Sequence, residues 1–167
     1  MANIRGEFVV TNAAPRPQIK PEQILVRTEA VAINPSDTKM VGEFQTPSAL
    51  LGTDYAGTVV EVGSNVASEI RITDCVCGAA HGMNALQPSA GAFSEFVASN
   101  GPVYLCLLSS MSTEEGASLS AGLCTGGLAL WLLGLLWLDQ PTLSPRKVLV
   151  YGGSTAMGTL TIQLLRL

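Results

Sequence analysis

Charge is scarce in this chain. Only 13% of its 167 residues are Asp, Glu, Lys or Arg, where roughly a quarter is usual in a soluble domain. Apolar residues make up 47%, so apolar surface is in surplus and something else is expected to cover part of it. The net charge of −4 leaves no basic footprint for nucleic acid or an anionic membrane. The opening Met-Ala-Asn-Ile-Arg-Gly-Glu has no apolar leader core, and a cytoplasmic location is expected. Histidine is almost missing: His81 is the single one. It lies in a Gly/Ala/Asn-rich loop, and a catalytic base needs an orienting partner that the sequence does not locate. The cysteines are Cys75, Cys77, Cys106 and Cys124. Their C-x-C pair is tighter than the zinc-hook spacing of about two to four residues. No second cluster answers it, so no metal site is expected, and buried free thiols in a reducing compartment are the plainer reading. Internal repeats and low-complexity tracts are absent.

What is there has an order. Residues 8–12 and 23–33 read as strands, the second with Ile24, Val26, Thr28, Ala30 and Ala32 on one face. The Ala-Ala-Pro-Arg-Pro run between them reads as a turn. Asn34-Pro35-Ser36-Asp37 ends the second strand, because proline donates nothing to a ladder. Residues 55–63 form another strand, with Thr58, Val60 and Val62 alternating. Short punctuated strands continue to about residue 106, a pattern that predicts a small, mostly antiparallel barrel. At Ser112-Thr113-Glu114-Glu115 the signals change to a capped helix start. Gly116 to Leu138 carries no charge. Its length would suit a membrane span, but Glu114, Glu115 and Asp139 flank it and four glycines weaken its first half. A helix pair buried between two domains is expected instead. Residues 148–158 read Val-Leu-Val-Tyr-Gly-Gly-Ser-Thr-Ala-Met-Gly. An apolar run, a glycine turn and a helix start are how a dinucleotide-binding βαβ unit begins. The sequence predicts a strand near 147–151 and a helix over 155–167.

Four blocks stand in order: Asn-Pro-Ser-Asp-Thr-Lys (34–39), Leu-Gly-Thr-Asp-Tyr-Ala-Gly-Thr-Val-Val-Glu-Val-Gly (51–63), Gly-Ala-Phe-Ser-Glu-Phe (91–96) and Val-Leu-Val-Tyr-Gly-Gly-Ser (148–154). Together they resemble the zinc-independent branch of the medium-chain dehydrogenase/reductase superfamily. Within it they are most similar to the fungal trans-acting enoyl reductases that serve polyketide synthases of the lovastatin type. The resemblance implies a mixed α/β fold, with a GroES-like barrel (1–111) followed by connecting helices and the incomplete start of a Rossmann domain (112–167). It implies NADPH as cofactor and reduction of an α,β-unsaturated polyketide thioester in secondary metabolism. The implied partner is a polyketide synthase or its acyl-carrier-bound intermediate, and a homodimer is possible. The zinc enzymes of the superfamily place a cysteine and a histidine–glutamate pair where this chain has Pro35 or Ser36 and Thr53-Asp54.

The same resemblance points to site residues. Lys39 is the candidate charge near the enolate or the cofactor phosphate, against a solvated loop lysine. Thr125 is the second catalytic candidate, with Gly126 and Gly127 as substrate-contacting positions, against plain helix packing. Ser36, Asp37, Thr38 and Lys39 are expected at the cofactor, together with Gly152, Gly153, Ser154, Thr155, Ala156 and Gly158. Tyr55 is a conceivable proton donor but reads as core. In the glycine fingerprint, Gly153 and Gly158 take the first and third positions and Thr155 the second, where its hydroxyl is expected to reach a phosphate. Two family turns differ: Gly-Asp-Arg-Val reads Thr73-Asp74-Cys75-Val76, and Leu-Pro-Ala-Gly reads Leu119-Ser120-Ala121-Gly122. The residue that selects NAD or NADP would fall beyond Leu167. The reading therefore includes a C-terminally truncated chain whose NADPH affinity is expected to be lost or very weak. Its alternative is a shortened non-redox descendant that binds or reshapes a polyketide intermediate or a synthase partner.

Overall fold

β-branched residues recur through 24–33 and 58–62, and the two longest strands form there. A computed structural model describes residues 7–12, 14–40, 46–66, 69–100, 103–135 and 146–166. The opening six residues, Ala13, positions 136–138 of the uncharged stretch, its flanking Asp139, and Leu167 of the final helix lie outside the described residues. The elements are β1 (Gln23–Ala32), α1 (Pro35–Met40), β2 (Asp54–Val62), β3 (Cys75–Ala79), β4 (Phe96–Asn100), β5 (Tyr104–Cys106), α2 (Thr113–Ala117), α3 (Ser120–Leu132) and α4 (Ala156–Leu164). They fall into two compact units, 1–120 and 121–167.

The first unit holds one antiparallel sheet in the order β4-β1-β2-β3-β5. Ile24 and Val26 of β1, Tyr55 and Val59 of β2, Val76 of β3 and Val97 of β4 meet in one buried cluster, and Tyr104 of β5 packs against it. Since all five strands feed the same core, the sheet wraps around it as a small barrel. Each such side chain contributes about 1.5–3 kcal/mol on full burial. The outer face is built from small residues. Ala30 and Ala32 of β1, Ala56 of β2 and Cys77 of β3 lie there, and Ala117 of α2 packs on them with Leu107. This contact places α2 with the barrel, in the compact unit that runs to Ser120. The Ser112 cap and its capping box with Glu115 form as the sequence predicts.

Two bulges change the faces expected from simple alternation. Thr28 pairs with Gly57 and Ala30 with Ala56, so Glu29 has no opposite number. Leu25 pairs with Glu61 and Val26 with Val59, so Val60 is the extra residue on β2. A slip of one residue turns every later side chain to the other face. Ile24 and Val26 therefore enter the barrel core, while Ala30 and Ala32 face α2. On β2 the inward residues are Tyr55, Val59 and Val62, so the alternation of Thr58, Val60 and Val62 is broken by the Val60 bulge. Tyr55 is fully buried core.

Three other segments differ from expectation. In residues 8–12 only Phe8 makes a bridge. Residues 146–150 form no regular element, because a strand needs a neighbour to bond, and every paired strand among the described residues belongs to the first unit. The cysteines are free, but only Cys77 is buried; Cys75, Cys106 and Cys124 are exposed. Desolvation, and then the carboxylates of Asp74 and Glu69, push the Cys106 thiol up from its ordinary value. The uncharged stretch is split between α2 and α3. α3 stops where Gly134 takes φ +64°, and Arg146 Nη1 donates to the Gly134 carbonyl at 3.1 Å. No helix among the described residues is long and apolar enough to cross a membrane.

The turn entering β3 shows what Thr73 does. Its φ is +81°, a conformation that burdens a β-branched residue. Thr73→Gly is expected to stabilise the chain by about 1 kcal/mol; a lower midpoint in thermal unfolding would contradict this.

Candidate functional site

Pro35 opens α1, a position where its missing N–H is no loss. Asp37 then folds back. Its Oδ2 accepts from the Asn34 backbone N–H at 2.7 Å, while its own N–H donates to the Asn34 carbonyl at 3.0 Å. The Thr38 hydroxyl donates to the Pro35 carbonyl at 2.8 Å. Asn34 also reaches across to the start of β2: its side-chain amide donates to Thr53 Oγ1 at 3.0 Å and to Asp54 Oδ2. Asp37 and Asp54 are both buried. One asparagine thus fastens the 34–39 block to the 51–63 block. The 91–96 block joins them through the Ala92 N–H on the Gly52 carbonyl (3.0 Å) and the Phe93 N–H on the Leu51 carbonyl (2.8 Å). Gly52 has φ +94°, and a Cβ there would run into the Phe93 ring. Only glycine fits both conditions.

Burial pushes the Asp37 carboxyl up, the Asn34 N–H pulls it back, and the Asp54 carboxylate pushes it up again, with a net rise above the usual value. A raised folded-state value means that the native chain holds this proton more tightly than the unfolded chain does. Stability from this group is then full below the unfolded value and declines as pH rises through the folded one. Asp37→Asn keeps an acceptor for the Asn34 N–H. It is expected to flatten the decline in stability just above pH 4 and to raise the melting temperature modestly at pH 7. An unchanged pH profile in denaturant melts would refute the assignment.

Of the four expected cofactor positions on α1, Ser36, Thr38 and Lys39 are exposed. The Asp37 carboxylate is turned inward on Asn34, so it shapes the turn rather than presenting itself to a ligand. Among the described residues no three His, Cys, Asp or Glu side chains are grouped as a metal would need. Thr53 and Asp54 are instead engaged by the Asn34 side chain. Sequence reasoning quoted Asn34 as a strand terminator and missed it as the tie. The acid three residues after Asn34 was the available local signal, but nothing in the spacing says that residues 34 and 54 meet.

The second unit is described by itself. Thr125, Gly126 and Gly127 lie on α3, with Thr125 exposed. Gly122 and Gly126 are one turn apart and face α4: a Cβ on Gly122 would meet Leu160 Cδ1 at 2.5 Å, and one on Gly126 would meet Thr161 Oγ1 at 2.8 Å. Gly126 is therefore used in helix packing, whereas Gly127 has open space around it.

The glycine turn before α4 assigns its parts differently from the sequence reading. Gly152, at φ +83°, is the residue that needs to be glycine for the turn, not Gly153. Gly158 lets the helix touch the turn; a Cβ there would collide with the Gly152 carbonyl oxygen. Thr155 is the N-cap. Its hydroxyl accepts from the Gly158 N–H at 3.0 Å and donates to the Gly152 carbonyl at 2.8 Å. Its single proton is thus engaged within the turn and is not aimed at a phosphate. Ser154 and Ala156 are exposed. The first N–H groups of α4 have no partner within the helix, as at any helix start, and they stand where the macrodipole is positive.

Residues 20–109 match the alcohol dehydrogenase GroES-like domain family. The chain belongs to that family. It is similar to the enoyl reductase component of lovastatin nonaketide synthase from Aspergillus terreus, with 52% identity over 99% of this chain and 47% of that protein. A trans-enoyl reductase of Gibberella zeae is 48% identical over 97% of this chain and 46% of its own length. Among solved structures, an alcohol dehydrogenase superfamily protein from Novosphingobium aromaticivorans matches with a TM-score of 0.78 and 30% identity, over 99% of this chain and 48% of that one. The chain spans about half the length of the curated relatives it matches.

Proposed function

We propose that these residues serve an NADPH-dependent, trans-acting enoyl reductase that acts on α,β-unsaturated polyketide thioesters and works with a polyketide synthase. The observation that carries this is the 52% identity, over 99% of the chain, to a protein named as an enoyl reductase component of such a synthase. The local geometry agrees with it. Gly152 at positive φ makes the turn, and Gly158 packs α4 against the Gly152 carbonyl, so the N–H groups that open α4 stand where a pyrophosphate would be held. Gly152, Gly153 and Ser154, with the N–H groups that open α4 at Ala156, would hold that group. When bound, the nicotinamide supplies a hydride to the β-carbon. In this reading exposed Lys39 provides positive charge for the enolate oxygen or a cofactor phosphate. Exposed Thr125, beside the open space at Gly127, lines the acyl path. Asn34 holds α1, and with it Lys39, against β2. Thr155 and Asp37 act as turn-forming residues.

Titration of the chain with NADPH, followed by nicotinamide fluorescence, tests the cofactor. An enoyl-thioester assay with NADPH tests the reaction. Turnover that falls at least tenfold in Lys39→Ala supports the assignment. NADPH binding without thioester reduction would exclude the reductase role for this chain, and absence of both would favour the non-redox alternative.

A further inference from the structure

β4 and β5 are the two edges of the sheet, and among the described residues they are not paired with each other. A cavity of about 760 Å³ lies along this seam, lined by Val97–Asn100 of β4, by Ala79 and Ala80 at the end of β3, by Val103, and by His81 and the 86–91 loop. That volume is ample for a small organic ligand. In a chain of net charge −4, the described lining contains Lys20 and His81 but no Asp or Glu.

Two hydrogen-bond relays fix what the lining presents. In the first, the Lys20 backbone N–H donates to Gln23 Oε1 at 2.8 Å. That sets the Gln23 amide, whose Nε2 donates to Asn100 Oδ1 at 2.8 Å. The oxygen of Asn100 is taken, and its NH₂ group remains as donor. In the second, the N–H groups of Leu86 and Gln87 donate to Asn84 Oδ1, at 2.9 and 3.3 Å. Asn84 Nδ2 therefore faces His81 Nδ1, at 3.3 Å. Nδ1 must accept, so neutral His81 carries its proton on Nε2. The partner that the sequence did not locate is Asn84. Both relays end in donors on cavity-lining residues. Ser99 adds a third feature: it lines the cavity, is 3% exposed, and its hydroxyl has no partner among the described residues.

We propose that this seam cavity is a binding site for an organic oxyanion, a phosphate or carboxylate borne on a molecule whose apolar part lies against Leu86, Val97 and Val103. Donors, a lysine and no competing carboxylate make acceptor-rich anions the matching chemistry. The proposal does not rest on the reductase reading, and its test needs no enzymatic activity.

His81 is the single histidine, so its imidazole resonances are unambiguous by NMR. At a pH where the ring is neutral, the ligand-free chain is expected to show the Nε2–H tautomer in its nitrogen shifts. Inorganic phosphate and citrate are the two probes, and sodium chloride at matched ionic strength is the control. The expected result is a saturable shift of the His81 signals with phosphate, citrate or both, and none with chloride. A response to phosphate alone or to citrate alone identifies which anion the site takes. Asn100→Asp exchanges two donors for a carboxylate and is expected to weaken binding by about tenfold or more. Asn84→Ala is expected to mix the tautomers. Should Asn100→Asp fail to fold by circular dichroism, Lys20→Glu at the exposed rim replaces it, with the same expectation. An Nδ1–H tautomer in the free chain, no saturable shift with either anion, or unchanged binding in the folded charge-reversing variant would overturn the proposal.

Discussion

Gly158→Val is expected to destabilise the second unit by about 3 kcal/mol or more, read as a lower unfolding midpoint in denaturant. The reason is the kind of neighbour. A Cβ at residue 158 meets the carbonyl oxygen of Gly152, its carbonyl carbon at 2.9 Å and the Gly153 Cα at 3.0 Å, all of them backbone. No rotamer change relieves such a contact; either α4 or the turn must move. Movement would break the Thr155 cap and alter the donors at the start of α4, so NADPH affinity, where present, should fall with stability. Gly127→Ala is the contrasting change. It lies within α3 with nothing within 4 Å of its Cβ position, and is expected to gain roughly 0.5–1 kcal/mol from helix propensity. Equal effects from the two substitutions would show that the helix–turn contact is not what makes glycine necessary at 158.

Asn34→Leu is expected to destabilise the first unit by about 1–2 kcal/mol, because it removes a half-buried donor while leaving its acceptors, one of them a buried carboxylate, in place. The side chain serves Thr53 Oγ1 and Asp54 Oδ2 together, and Asp54 is 3% exposed. The loss should come with loosening of α1, visible as faster amide exchange at residues 37–40, and Asn34→Asp should not rescue it, since a third acid would then face Asp37 and Asp54. Destabilisation below about 0.5 kcal/mol, the level of an ordinary surface change, would mean that other bonds hold the 34–54 junction.

These two sites show why the sequence was readable in some places and not in others. The helix start at Ser112, the break at Asn34-Pro35 and the glycine turn before α4 are local: cap, ring and missing side chain act within a few residues. The four blocks that carry the family resemblance are likewise short runs. Strand faces were harder. Alternation assigns Ala30 and Ala32 to the same face as Ile24, but Glu29 bulges and reverses it. A bulge depends on what the partner strand offers, and the partner is far away in sequence. Within the glycine turn, composition alone does not say which of Gly152 and Gly153 takes positive φ. Thr155 showed a hydroxyl to the sequence reading, but only the fold shows that its proton is engaged by the Gly152 carbonyl.

By itself the sequence determined the class of each segment, the low charge, the isolated histidine and the family, since these depend on residue types and on spacings of a few positions. Tertiary structure alone decided which distant residues meet. It set Asn34 on Asp54, Phe93 on Gly52 and Gly158 on the Gly152 carbonyl, and it brought Asn100 and His81, each at the end of a side-chain relay, to the lining of one cavity. Such contacts are fixed by strand register and by the close packing of backbone against backbone, and neither is written in any single stretch of the chain.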